Sequence, residues 1–172
     1  MRSRHGRPGN GAGAVLTAAE VLALCRQQGL TLTTAESCTG GLAAKELTDV
    51  PGASAVFVGG VVSYWSEVKA KVLGVSRPLL AEYGAVSEPV ARAMAEGARR
   101  LTGADVALAV TGVAGPDRDD RGNDVGTVFI ALAAHDATLC RSLALSGSRD
   151  EIRRDAVSAM WALLTDYINK EI

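Results

Sequence analysis

Residues Thr31 to Asp49 read TLTTAESCTGGLAAKELTD, a β-branched run that passes directly into a Gly-rich helix start. Thr31, Leu32, Thr33 and Thr34 predict a short strand. Glu36, Ser37, Cys38 and Thr39 form the turn, and Ala43, Leu47 and Val50 then recur at helical spacing. The turn therefore lies at the carboxyl end of a strand and the amino end of a helix. Unpaired backbone N–H groups at such a place can hold an anion or a developing oxyanion. Gly40 and Gly41 would each cost about 1 kcal/mol relative to alanine inside a helix. That cost makes sense where something must approach the backbone closely. The plain alternative is a tight turn in which Ser37 or Thr39 caps the helix.

The surrounding chain is an ordinary globular one. Its 172 residues, 48% apolar and 22% charged, supply one core and hence one domain, expected over residues 15–172. The first 14 residues, MRSRHGRPGNGAGA, have no apolar core of a secretory signal and are expected to be a disordered tail. GNGAGA within it satisfies a loose dinucleotide fingerprint, but no strand precedes it. Without the tail's three arginines, 15 basic residues face 19 acidic ones, a net charge of −4 for the body. A body of that sign has no general nucleic-acid footprint. Cys25, Cys38 and Cys140 are odd in number and lack C-x-x-C spacing, so neither a disulfide framework nor a zinc site is indicated. A cytoplasmic location fits this usage, and no apolar run approaches the ~20 residues of a membrane span.

Working outward, Thr17 and Glu20 form a capping-box pattern for a first helix that Gly29 stops. VFVGGVVSY, Val56 to Tyr64, reads as a continuous apolar strand and is expected to be central in the sheet. Gly59 and Gly60 in its middle predict a bulge, or a neighbour or ligand close to the backbone. On a helical wheel of Ser66 to Leu73, Trp65, Val68, Val72 and Leu73 make one apolar arc that includes Lys69 and excludes Lys71. Helices are predicted over Pro78–Tyr83 and Glu88–Leu101, then a buried strand over Asp105–Gly112. The loop Gly112 to Asp124 is long enough to suggest a functional or mobile role. Two alternating strands around Asp136 predict an antiparallel hairpin, and Ser148 with Glu151 caps a last helix, Arg149 to Asn169. The order predicts a three-layer α/β/α sandwich on a mixed sheet. The exits after Thr34, Tyr64 and Val110 would share one site if their strands are parallel.

The side chains available restrict the chemistry. Histidine is present only as His5 and His135, which disfavours a Ser-His-Asp triad. Lys69 is one of four lysines; desolvated on the apolar arc it would act as a neutral base, whereas snorkelling to water it would not. Ser37 with Lys69, and Tyr64 as a relay or hydrogen-bonding partner, makes a coherent Ser-Lys arrangement. Cys38 is a rival nucleophile at the same helix start, where a thiol pKa can fall. Thr111, Gly112 and Gly115 either offer an anion nest or form an ordinary Gly-Pro turn. Arg149, in the first turn of its helix, is compensated by a bound anion or by Asp150 and Glu151. Asp117, Asp119, Asp120 and Asp124 fail the spacing of a calcium loop and read as a solvated face. No metal and no organic cofactor is expected.

The blocks TAESCTGGLAAKELTDVPGAS, GGVVSYWSEVKAKVLGV, GAVSEPVARAMAEGA, AVTGVAGPD with VGTVF, and SGSRDEIRR occur in this order. Together they resemble the carboxy-terminal CinA domain family of nicotinamide-nucleotide amidohydrolase type, over about Thr17 to Asn169. The resemblance implies hydrolysis of nicotinamide mononucleotide to nicotinate mononucleotide and ammonia, in pyridine nucleotide salvage. It places the catalytic serine on Ser37, the tyrosine and lysine on Tyr64 and Lys69, the threonine of TG-x-AGP on Thr111 and the arginine of SG-x-R-D on Arg149. Thr39, Gly40, Gly41, Gly60, Gly112 and Gly115 are expected to complete the substrate site, with N–H groups around Thr39 to Gly41 receiving the oxyanion. Trp65 stands where a smaller residue is expected, and RDDRGND replaces a Gly- and Lys-rich loop. The amino-terminal pyrophosphatase-like domain of longer members has no counterpart in these blocks. The expected partner is a small nucleotide, with a homo-oligomer also envisaged. The alternative is a catalytically silent nucleotide- or partner-binding module linked to competence or recombination.

Overall fold

A computed structural model describes residues 16–171; the tail 1–14 lies outside the described residues. Five strands form one mixed sheet in the order β2-β1-β3-β4-β5. β1 (Leu32–Glu36), β2 (Phe57–Val62) and β3 (Val106–Gly112) run parallel, and β4 (Thr127–Ala133) and β5 (Thr138–Ala144) form the predicted antiparallel hairpin. Six helices, α1 (Ala18–Gln27), α2 (Leu42–Thr48), α3 (Ser66–Leu73), α4 (Arg77–Tyr83), α5 (Glu88–Thr102) and α6 (Arg149–Asn169), complete the α/β sandwich. Both capping boxes read in the sequence are formed, Thr17 with Glu20 and Ser148 with Glu151.

The period-2 alternation of β3 sorts the layers. Val106, Leu108 and Val110 join Leu22, Leu47, Ile152 and Met160 in the core beneath α1, α2 and α6. Ala107 and Ala109 face the other way, joining Ala35, Ala131 and Ala133 against Val90, Ala91, Met94, Ala95 and Ala98. A sheet face paved with alanine lets α5 sit close to it. Gly97 extends that closeness to α3: a Cβ there would lie 2.8 Å from the Leu73 carbonyl carbon and closer still to its oxygen. The small residues thus clamp the carboxyl end of the helix that carries Lys69.

Two expectations are corrected. β2 is an edge strand, paired with β1 alone among the described residues, and Val58 and Val62 are each half exposed at 50%. Apolarity without alternation does not distinguish a central strand from an edge strand that carries a bulge, and here the register passes from Leu32 opposite Phe57 to Thr33 opposite Gly59, skipping Val58. The α3 arc is also turned. Lys69 and Leu73, four residues apart, are the buried pair, whereas Trp65 is 74% and Val72 42% exposed. The helix is anchored by its close contact with α5 at Leu73, which turns the wheel away from the largest apolar side chain.

Candidate active site

Because β1, β2 and β3 are parallel, their carboxyl ends bring Ser37, Ser63–Tyr64 and Thr111–Ala114 to one edge of the sheet. A cavity of about 190 Å³ opens there, lined by Ser37, Tyr64, Lys69, Thr111, Gly112 and Arg149 among others.

Lys69 is fully buried, and its Nζ lies 2.8 Å from Ser37 Oγ, 2.6 Å from the Ser63 carbonyl oxygen and 3.4 Å from that of Tyr64. No carboxylate among the described residues pairs with it. Burial lowers the ammonium from its ordinary value of 10.5 to about 8. All three neighbours are oxygens that accept from Nζ, matching the three N–H bonds of the ammonium; loss of one proton leaves two N–H bonds for the carbonyls and a lone pair facing the Ser37 hydroxyl. Ser37 itself continues the β1 ladder, its N–H donating to Val110 O at 3.0 Å. Burial pushes the neighbouring Cys38 thiol up to about 11, the opposite of the helix-start effect considered for it. With the thiol held protonated, the hydroxyl 2.8 Å from an amine that burial makes easier to deprotonate is the better-placed group for nucleophilic chemistry.

The helix start is occupied from inside the protein. Glu36 is fully buried; its Oε2 accepts from Thr39 Oγ1 at 2.6 Å and from the N–H groups of Gly41 and Ala43 at 3.1 Å each. Its Oε1 accepts from the Ala44 N–H at 2.8 Å. A carboxylate thus neutralises the amino end of α2. Gly40 and Gly41 take left-handed φ values of 61° and 102° to wrap the chain around it. The expected oxyanion donors shift as a result. The Gly41 N–H is committed to Glu36 and the Gly40 N–H to Ser37 O, 3.0 Å away, whereas those of Cys38 and Thr39 donate to no other residue among the described residues.

The remaining expected residues divide. Thr111 and Gly112 line the cavity, with the Thr111 hydroxyl donating to Ala85 O at 2.8 Å. Arg149 donates to the Gly115 carbonyl and, at 3.1 Å, to the Tyr64 hydroxyl, so Gly115 enters through its carbonyl oxygen. Tyr64 is 56% exposed, and it is its backbone carbonyl, not its hydroxyl, that contacts Lys69. Gly60 lies outside the cavity lining; a side chain there would strike Thr34 Oγ1, so the glycine serves strand packing. The loop after β3 is anchored, with Arg121 donating to the carbonyls of Ala81 and Glu82 and Asp124 pairing with Arg118. Glu36 and Arg153 were not singled out from sequence. An acid ahead of a Gly-Gly helix start, and an arginine one turn beyond Arg149, were the signals available.

Residues 16–168 match the family model described as the CinA C-terminal domain. The chain belongs to the CinA C-terminal domain family. A CinA-like protein of Geobacter sulfurreducens is 52% identical over 152 residues, 88% of this chain and 36% of that protein. This CinA domain therefore spans about a third of the length of the curated relatives it matches. Among solved structures, a competence-damaged protein (CinA) superfamily protein from Klebsiella pneumoniae superposes with a TM-score of 0.87 at 33% identity, covering 89% of this chain and 96% of that one. The competence/damage inducible protein CihA from Agrobacterium tumefaciens gives 0.84 at 38% identity, covering 88% and 93%.

Proposed function

We propose that this CinA domain is an amidohydrolase that converts nicotinamide mononucleotide to nicotinate mononucleotide and ammonia through a Ser37 acyl-enzyme. The observation that carries the reading is the 2.8 Å contact between Ser37 Oγ and a buried Lys69 with no acidic partner among the described residues. The resemblance of its sequence blocks to the nicotinamide-nucleotide amidohydrolase type supports the choice of substrate.

The steps follow from the groups at hand. Ser37 Oγ bonds to the carboxamide carbon as its proton passes to Lys69 Nζ, and the carbonyl π pair moves onto oxygen. The N–H groups of Cys38 and Thr39 receive that oxyanion. Collapse breaks the C–N bond, and the departing amide nitrogen takes the proton from Lys69 and leaves as ammonia. Water then adds to the acyl carbon while giving a proton to Lys69, and Ser37 Oγ leaves with that proton restored. Arg149 at the cavity rim, with the Gly115 turn it holds, meets the phosphate.

The test is ammonia release from nicotinamide mononucleotide by the wild type and by Ser37→Ala, with nicotinamide riboside as the phosphate-free control. Release that needs both Ser37 and the phosphate is the expected result. Full turnover by Ser37→Ala refutes the nucleophile. Binding of the nucleotide by calorimetry without any ammonia establishes the silent binding module in place of the enzyme.

A further inference from the structure

Arg153 approaches the Ser37 turn from α6, one helical turn beyond Arg149, and its hydrogen bonds among the described residues go to backbone alone. Its Nε donates to Cys38 O at 3.2 Å and its Nη2 to Thr39 O at 2.9 Å. It is partly buried and pairs with no carboxylate among the described residues. A half-buried guanidinium thus spends two of its donors on the carbonyl groups of one turn.

Peptide geometry gives those two contacts a consequence. A trans peptide is planar, so the C=O of one residue and the N–H of the next point in opposite directions. Holding Cys38 O toward Arg153 therefore directs the Thr39 N–H away from it. Holding Thr39 O orients the plane that carries the Gly40 N–H, and that N–H donates to Ser37 O at 3.0 Å. Ser37 O, so engaged, directs the Cys38 N–H the other way. Two successive N–H groups thus face away from Arg153, and neither donates to another residue among the described residues. From the other side, Glu36 accepts the Thr39 hydroxyl at 2.6 Å, so the turn is gripped between a buried acid and a basic side chain.

We infer that Arg153 is a positioning residue of the oxyanion site: by holding the carbonyls of Cys38 and Thr39 it sets the two N–H groups that stabilise the tetrahedral intermediate beside Ser37. This rests on the acyl-transfer reading given above. Arg153 touches neither Ser37 Oγ nor Lys69, so it alters neither the nucleophile nor the base.

The experiment compares wild type, Arg153→Ala and Arg153→Lys by two readouts. One is labelling of Ser37 by an alkyl fluorophosphonate, which needs only an activated serine and places a phosphoryl oxygen where the oxyanion would lie. The other is ammonia release, with kcat and KM separated and calorimetric affinity for nicotinate mononucleotide measured alongside. Arg153→Ala should lower the labelling rate and kcat by about 100-fold, the scale of a lost oxyanion donor. Product affinity and the pH at which kcat rises should not move, and Arg153→Lys should recover part of the loss. Equal labelling of wild type and Arg153→Ala overturns the inference alone. A loss shared equally by kcat and product affinity also overturns it, as general damage to the site. Should Arg153→Ala fail to fold, Arg153→Lys decides by the same comparison. A wild type that is not labelled overturns the nucleophile reading and this inference with it, whereas labelling without ammonia release removes only the nucleotide substrate.

Discussion

Replacing Lys69 by methionine should abolish turnover and make the protein more stable at pH 7, with a pH dependence that identifies the cause. Burial lowers the lysine from 10.5 to about 8. At about 1.4 kcal/mol per unit, keeping it charged in the fold at pH 7 costs roughly 3 kcal/mol. Methionine has a similar length and no charge. It leaves the Ser63 and Tyr64 carbonyls without this donor, which returns about 1 kcal/mol. The net expectation is a gain of roughly 2 kcal/mol at pH 7. The sign with pH follows from proton counting. Between pH 8 and 10.5 the folded chain has released a proton that the unfolded chain still holds, so wild-type stability rises with pH through that window. Lys69→Met lacks this contribution. Its advantage should therefore shrink by roughly 2–3 kcal/mol between pH 7 and pH 10, bringing the two proteins level or reversing their order. Urea unfolding of both proteins at pH 7, 8, 9 and 10 measures the difference directly. Parallel stability curves, or a variant weaker than wild type at pH 7, would show that the lysine is not held against its charge.

Glu36→Gln replaces an acceptor of four hydrogen bonds by an amide whose nitrogen opposes the N–H groups it faces. It should lower stability by about 2–4 kcal/mol in denaturant titrations. Cys38→Ala should keep ammonia release within a few-fold of wild type, because burial holds the thiol protonated at about 11; loss of activity as complete as in Ser37→Ala would make the thiol the nucleophile.

The individual elements were legible because their causes are local. Capping boxes at Thr17 and Ser148, the β-branched run at Thr31–Thr34, the alternating strands about Asp136 and the Gly-Gly helix start each depend on residues a few positions apart. The order of elements then restricted the architecture to an α/β sandwich. It also showed that the turns after three strands could converge, and it singled out Ser37 and Lys69 as residues that could react together. What the sequence by itself determined, then, was the inventory of elements and the short list of chemistry-bearing side chains.

Only the tertiary structure decided how those side chains are used. VFVGGVVSY is equally apolar at the centre or the edge of a sheet, and pairing with β1 alone among the described residues placed it at the edge. The face that α3 buries was set by contact with Gly97 on α5, not by its most apolar arc, and that contact puts Lys69 inside and Trp65 outside. Glu36 took the amide groups of Gly41, Ala43 and Ala44, which moved the free N–H groups back to Cys38 and Thr39. Arg153 reached that turn across a sequence separation of 115 residues. The physical reason is common to all four. Propensity and periodicity act over a turn or two of chain, whereas burial, hydrogen-bond competition and desolvation depend on which distant segments arrive at the same place.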